Sequence, residues 1–368
     1  MEALNSRKFV GIDLDQEAVQ LSIYDEVSEQ MTEEYFPMPA EQKDDYLEHG
    51  WDYICKYIEY HEISWEDYSA VYFSLKDVSE ENRARLQSLL PQEFLDRFGM
   101  HIISRFRAFV EYVFHQERVV WDRNTMLLDY QGDRLRYIVV EQIYRSKQKT
   151  YRAITQEIDL STYGILQGSE TLDQDFCKMI KQFLLKNPTH IIFLTGHGFE
   201  GNWMKRTLNC LCSGRRVFLG QNIYANGASL LGIHTASLVE EGMILMQGPD
   251  MVYHTIGLVA ASNGRQQYIP ITNIGKEWFN TSGSLDIILD KSQKIDFFYR
   301  NNKDNETEIS CCELRDLPKR PPKTSRIHVE VSFSSCTEGM ILMTDMGFGS
   351  MYPKTEKVTV QPFRLISS

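Results

Sequence analysis

G-I-D-L-D-Q-E-A-V, Gly11 to Val19, is an apolar strand that ends on a carboxylate and runs into an acidic turn. The strand proper spans Phe9 to Leu14, and Val19 to Tyr24 alternates as its hairpin partner would. Further along, the same design recurs. Thr125 to Tyr130 is a strand carrying Asp129, Gln131 to Asp133 is a Gln-Gly-Asp turn, and Leu135 to Ile143 returns. Each hairpin therefore brings one aspartate, Asp13 or Asp129, to the mouth of its turn.

Working outward, the spacing predicts an alternation of strands and helices. Glu34 to Met38 is strand-like, Tyr46 to Tyr60 has helical apolar spacing, and Ala70 to Leu75 reads as a buried strand. Ser79 caps a helix in which Asn82 replaces the Glu of a full capping box. Ile102 and Ile103 feed a helix from about Phe106 to His115. Tyr151 to Asp159 is a strand and Leu172 to Leu185 a helix. His190 to Leu194 runs into T-G-H-G-F-E-G, Asn202 to Leu211 resumes as helix, and Val217 with Phe218 is a short strand. Asn222 to Ile233 is a helix of small residues.

Beyond about Gly248 helical periodicity stops. Eight short alternating runs follow, from Thr255–Ala260 to Lys357–Val360, separated by Gly, Asn, Asp and Pro. Closely spaced strands with turn signals predict a β-sandwich. The chain is thus expected to divide into an α/β domain over residues 1–245 and an all-β domain over residues 250–368.

Composition narrows the function classes. The 368 residues include 51 acidic against 39 basic, a formal net charge of −12. Such a surface repels nucleic acid and anionic membrane, so neither is an expected partner. The basic run Lys319, Arg320, Lys323 and Arg326 is interleaved with prolines and reads as a solvated connection. The amino terminus lacks a signal-length apolar core, and no apolar stretch approaches the ~20 residues a spanning helix needs. Seven scattered cysteines, including Cys210/Cys212 and Cys311/Cys312, fit neither a disulfide framework nor a zinc knuckle. A cytoplasmic location is expected.

Taken in order, these pieces resemble the actin-like ATPases, and most of all the DnaK-type (seventy-kilodalton heat-shock) chaperones. Gly11–Val19 resembles their first phosphate loop and Leu127–Arg134 their second. Ala70–Arg83 and Ile102–Tyr112 resemble their connecting elements, and Ile191–Trp203 their adenosine motif. Asn222–Gly232 resembles their closing helix, and Glu313–Phe333 the proline-containing stretch of their peptide-binding β-domain. The resemblance implies a duplicated, ribonuclease H-like nucleotide-binding fold followed by a C-terminal β-sandwich. The short intervals from Asp13 to Asp129 and on to Gly196 imply reduced outer subdomains. The chain ends at Ser368, with no helical lid expected.

In that family the turn backbones surround ATP phosphates while strand-end aspartates position Mg²⁺ and water. The resemblance makes Asp13 and Asp129 vestigial catalytic residues, holding metal through water; as plain residues they read as strand-end carboxylates that cap a turn. If nucleotide binds, Asp13, Gly132, Gly196, Gly198 and Phe199 are its expected contacts. Phe199 has two readings, a stack on the base or a place in the core. His197 reads as a loop residue with no companion ligands.

Around the aspartates the pattern departs. Asp15, Gln16 and Glu17 stand where the family has Gly and Thr or Ser, and Gln131, Asp133 and Arg134 replace most of the second glycine run. Carboxylates against phosphates cost on the order of several kcal/mol in a partly desolvated site. Arg105 reverses an acidic residue of the family; beside Arg107 it binds an anion or, as the preferred reading, pairs with the acidic first loop. Met340, Leu342, Met343 and Met346 read as core, with peptide contact as the alternative.

The expectation is a non-hydrolysing, heat-shock-like binding or scaffold protein that holds a protein or peptide through its β-domain and uses no cofactor. The alternatives are a reduced but active chaperone that uses ATP and Mg²⁺, and an actin-like scaffold. The oligomeric state is left open.

Overall fold

Val10, Ile12 and Leu14 on one face and Phe9, Gly11 and Asp13 on the other are all buried, which places the first strand at the centre of a sheet. The computed structural model describes residues 7–145, 148–233, 244–248, 250–262, 264–301 and 306–365. Residues 1–6, part of the amino terminus read above as lacking a signal segment, lie outside them. Two compact units divide the chain, residues 1–248 and 249–368.

In the first unit, β1 (Lys8–Leu14), β2 (Ala18–Asp25) and β3 (Gln30–Pro37) form an antiparallel meander. Helix α1 (Tyr46–Tyr60) buries Leu47, Trp51, Ile54 and Ile58, the helical stripe of the sequence. It leads to β4 (Ala70–Leu75), which pairs parallel to β1. Ser79 then caps α2 (Glu80–Leu89) by accepting from Asn82 N–H, while the Asn82 side chain turns to Asp77 instead of closing a capping box. Pro91 ends that helix and starts another, α3 (Gln92–Phe98), which the spacing had not marked. Its Phe94 packs on Trp51 at 5.2 Å. β5 (His101–Ser104) pairs parallel to β4, so the sheet order is β3-β2-β1-β4-β5.

Helix α4 (Arg105–Phe114) and the short α5 (Arg118–Trp121) lead to the second half. There β6 (Thr125–Gln131), β7 (Arg134–Arg145) and β8 (Gln148–Asp159) form another meander. Helix α6 (Leu172–Lys186), β9 (Ile191–Thr195), α7 (Lys205–Cys212), β10 (Arg216–Leu219) and α8 (Ile223–Leu230) follow. β11 (Ile244–Gln247), absent from the sequence reading, adds a strand parallel to β8 at the edge. The order is β10-β9-β6-β7-β8-β11. Without β11 it repeats the first half strand for strand, including the parallel pairing of β6 with β9 and of β9 with β10. This is the duplicated ribonuclease H-like topology of the actin-like ATPase fold.

The two halves meet through α4 and α8, and glycine permits the approach. A Cβ on Gly227 of α8 would lie 1.8 Å from the Ala108 carbonyl of α4, and one on Gly11 of β1 would lie 2.0 Å from the Ala225 carbonyl. The small residues of the Asn222–Ile233 stretch are therefore the consequence of a helix pressed against both β1 and α4.

The second unit contains two four-stranded antiparallel sheets. One is ordered β13-β12-β15-β16, from β12 (His254–Ser262), β13 (Arg265–Pro270), β15 (Lys294–Asn301) and β16 (Thr307–Glu313). The other is β14-β17-β18-β19, from β14 (Ser282–Leu289), β17 (Ser325–Phe333), β18 (Glu338–Gly347) and β19 (Val358–Arg364). Alternate residues from both sheets, among them Ile256, Phe297, Val329, Ile341 and Met343, share one core. Met343 is buried, whereas Met340 is 46% exposed and Leu342 and Met346 are half-buried.

One residue of the proline-rich basic run is not solvated. The Arg320 side chain, 6% exposed, forms a bidentate pair with fully buried Asp345 at 2.7 and 2.8 Å. Burial works to raise that carboxyl, yet Arg320 and Thr355 bring it down to about 2. The sequence could not show that β18 places a carboxylate opposite the run. Among the described residues, no helix is long and apolar enough to cross a membrane.

Candidate functional site

β1 and β6 carry Asp13 and Asp129 at matching positions, next to Ser74 of β4 and Thr195 of β9 in register. Both face the cleft between the halves, and both are buried, at 0% and 4% exposure. The two aspartates singled out in the sequence are thus brought into one site. What stands between them is a side chain of the protein itself.

Arg105, the first residue of α4, is 2% exposed. Its Nε and Nη2 donate to the two Asp13 carboxylate oxygens at 2.9 and 2.5 Å. Nη1 lies 2.8 Å from Asp15 Oδ2 and 3.9 Å from Asp129 Oδ2. The guanidinium also lies over the Tyr224 ring, 4.6 Å from its centroid. Tyr224 in turn donates its hydroxyl to Asp129 Oδ2 at 2.7 Å. Ser104 accepts from Arg107 N–H and caps α4, which fixes where Arg105 leaves the helix.

Burial opposes the charge on Arg105, but Asp13 and Asp15 hold the guanidinium protonated well above its ordinary range. Burial likewise works to raise the Asp15 carboxyl; Arg105 and Lys76 reverse that and hold it below the usual range. Burial also pushes up Asp13, against the pull of Arg105, and Asp129, which is paired with a neutral phenol. Burial and Asp129 together push the Tyr224 hydroxyl far up, so it stays a donor. A single guanidinium facing three carboxylates leaves the cluster short of positive charge, and the raised Asp13 and Asp129 relieve part of that imbalance.

The mouth of the cleft is tied across the two halves. Glu17 of the first turn pairs with Lys43 at 2.5 Å and lies 3.9 Å from His197 Nδ1 in the second half. His197 Nε2 accepts from Gly132 N–H at 3.4 Å. Lys76 donates to Gln131 Oε1 at 3.2 Å. The acidic first turn therefore faces cations of its own chain.

The remaining expected contacts are distributed as follows. Gly132 is at the hairpin turn with φ 59° and open space around it. Gly196 has φ 94°, and a Cβ there would lie 2.4 Å from the Tyr130 carbonyl and 2.7 Å from Asp129 Oδ1. A Cβ on Gly198 would meet the Tyr130 ring at 2.3 Å, so these two glycines serve packing against β6. Phe199 is 1% exposed and sits edge-on to Tyr130 in the second half's core, with one side lining the cleft. The sequence reading passed over Tyr224. It is the second residue of α8, where Arg105 is the first of α4, so aligning the helix starts brings the two only within one position of each other.

Mg-ATP, the cofactor the fold family implies, does not fit this arrangement. Both Asp13 oxygens are engaged by Arg105, and one Asp129 oxygen by Tyr224. The open volume beside Asp15, Gln20, Arg105 and Tyr224 is about 60 Å³. Small-molecule pockets occupy roughly 300–1,000 Å³, and about 60 Å³ admits a water or two. Among the described residues no cluster of His, Cys, Asp and Glu is arranged to hold a metal ion.

The model of a family of unknown function, DUF5716 C-terminal, matches residues 46–247, more than half of the chain. The chain belongs to the DUF5716 C-terminal family. The family match includes Arg105, Asp129 and Tyr224. A domain of unknown function, DUF8552, matches residues 251–365, so the boundary between the two matches falls where the chain divides into its two units. No curated protein matches the chain by sequence.

Solved structures with similar folds include a reductive activator for a corrinoid, iron-sulfur protein, 9% identical with a TM-score of 0.40. The match covers 67% of this chain and 64% of the activator, so the chain spans less than two thirds of that protein's length. A Bacteroides thetaiotaomicron protein with an actin-like ATPase fold and unknown function is 12% identical, TM-score 0.36, over 62% of this chain and 96% of its own. The ethanolamine utilization protein EutJ from Carboxydothermus hydrogenoformans is 11% identical, TM-score 0.38, over 62% and 91%. The fold assignment rests on the strand orders described above.

Proposed function

We propose that this chain is a non-hydrolysing binding or scaffold protein in which an internal guanidinium has taken the place of metal and phosphate. The observation that carries this reading is Arg105, bidentate on Asp13 and within 3 Å of Asp15, with Tyr224 closing the other side. In an ATPase of this fold, charge at that point arrives with the ligand and leaves with it. Here it is covalently part of α4, so the halves are held together without a nucleotide cycle.

In this reading the β unit engages the partner, a protein or peptide, as the resemblance to heat-shock chaperones suggests. Met340, Val358 and Val360 are 46–53% exposed on the outer face of β18 and the edge strand β19. An extended peptide can add to such an edge, with backbone hydrogen bonds for affinity and apolar neighbours for selectivity.

Nucleotide titration tests the first part. The expected result is no thermal shift and no heat of binding with millimolar ATP and Mg²⁺ for the native chain. Measurable ATP turnover that Asp13→Ala abolishes would overturn the proposal and restore an active chaperone.

A further inference from the structure

A groove of about 860 Å³ runs along the outside of the second half between α6 and α7, away from the Arg105 cluster. Lys178, Lys181, Arg206 and Arg215 line it and, among the described residues, no carboxylate does, on a chain whose formal net charge is −12. Its α6 wall runs from Gln174 to Leu185 at helical spacing, roughly 16 Å of helix. That length matches about three turns of a partner helix.

The local carboxylates are committed elsewhere. Both Asp173 oxygens accept from backbone N–H groups of Arg206 and Thr207 at 2.7 and 2.8 Å, so Asp173 caps α7. Asp175 pairs with Lys178 at 3.0 Å. Arg215 is anchored at the end of α7, donating to the carbonyls of Cys210 and Ser213 at 3.4 and 3.0 Å. Lys181 and Arg206 are exposed and in no ion pair among the described residues. Beside these cations the lining mixes Gln174, Asn209 and Ser213 with two leucines: Leu184 is buried at the base and Leu185 stands 84% exposed at the rim. A site for phosphate or nucleic acid alone has no use for that leucine. Positive charge flanking an apolar rim is complementary to an amphipathic acidic chain.

We propose that this groove docks an acidic, amphipathic helical segment of a protein partner, its carboxylates on Lys181 and Arg206 and an apolar side chain over Leu185. The site is independent of the Arg105 cluster and of the β unit, so it stands or falls separately from the function proposed above.

Fluorescence anisotropy on the full chain tests it with a labelled amphipathic peptide of Glu and Leu heptads and its Lys-for-Glu counterpart. The expected result is binding of the Glu peptide and weakening on the order of tenfold or more for the Lys peptide. Lys181→Glu with Arg206→Glu, and separately Leu185→Glu, should each weaken the Glu peptide to a similar degree. All three positions are exposed, and unchanged circular dichroism and thermal unfolding would establish that the variants fold. Equal binding of both peptides, no binding at millimolar peptide, or variants that bind as the native chain does would each overturn the proposal. So would displacement by inorganic polyphosphate with Leu185→Glu binding intact, which would mark a plain anion-binding surface.

Discussion

The two halves of the α/β unit solve one problem in different ways. Each must bury an aspartate at the end of its central strand, and each answers from the start of its last helix. In the first half α4 supplies Arg105, a charge that Asp13 meets with both oxygens. In the second, α8 supplies Tyr224, a neutral hydroxyl to one oxygen of Asp129. The arginine then lies against the tyrosine, so the two solutions form one cluster across the pseudo-twofold relation. The difference teaches that duplicated topology does not enforce duplicated electrostatics. An ionic half sets a full cation against its carboxylate and a neutral half only a hydroxyl donor, although burial pushes both Asp13 and Asp129 up.

The helices differ as well. α8 approaches β1 so closely that Gly11 can hold no side chain, while the matching position of β6 is Leu127, fully buried. Gly11→Val should therefore have the largest effect of any change considered. It drives a side chain into the α8 backbone and is expected to cost more than ~4 kcal/mol, leaving the chain unfolded or insoluble. Leu127→Ala in the other half only empties space, at about 2–5 kcal/mol. Denaturant unfolding of the two variants measures the contrast.

Arg105→Ala comes next. It strands Asp13 and Asp15 without their common cation, and an expected loss of about 3–5 kcal/mol follows from breaking a buried pair. Urea midpoints at neutral pH give the value. A loss below ~1 kcal/mol would mean that the cluster is not fully desolvated and would falsify the ionic account.

Tyr224→Phe keeps the ring against Arg105 and deletes only the donor to Asp129. The expected cost is ~1–3 kcal/mol, less than for Arg105 because a neutral donor is lost rather than a buried cation. The smallest change in stability belongs to Asp129→Asn, which still accepts from Tyr224. Burial raises the Asp129 carboxyl, so the folded chain binds that proton at a higher pH than the unfolded chain does. Stability should thus decline as pH rises from the ordinary carboxylate value of about 4 through the raised one. Asp129→Asn should remove its share of that decline, leaving the share of the likewise raised Asp13. Unfolding curves across mildly acidic to neutral pH would show whether the slope is reduced.

Much of this was legible in the chain itself. Two apolar strands each ending in Asp, two turns behind them, and a run of small residues in the closing helix carry local signals that do not depend on the rest of the molecule. β11 and α3 were not, because a four-residue strand and a helix restarted at Pro91 offer too few residues for periodicity to register. Nor was Arg320 readable as buried, since its partner Asp345 is brought to it only by β17 and β18 pairing.

The sequence by itself determined that both aspartates are present, that the turns behind them carry Asp15, Glu17 and Asp133, and that an arginine starts α4. Tertiary structure alone decided what those residues do together. Arg105 is far from both aspartates along the chain, and only the crossing of α4 with α8 brings it between them. Charge identity is a property of one residue, whereas charge compensation depends on distance and burial, which are set when the two halves close on each other.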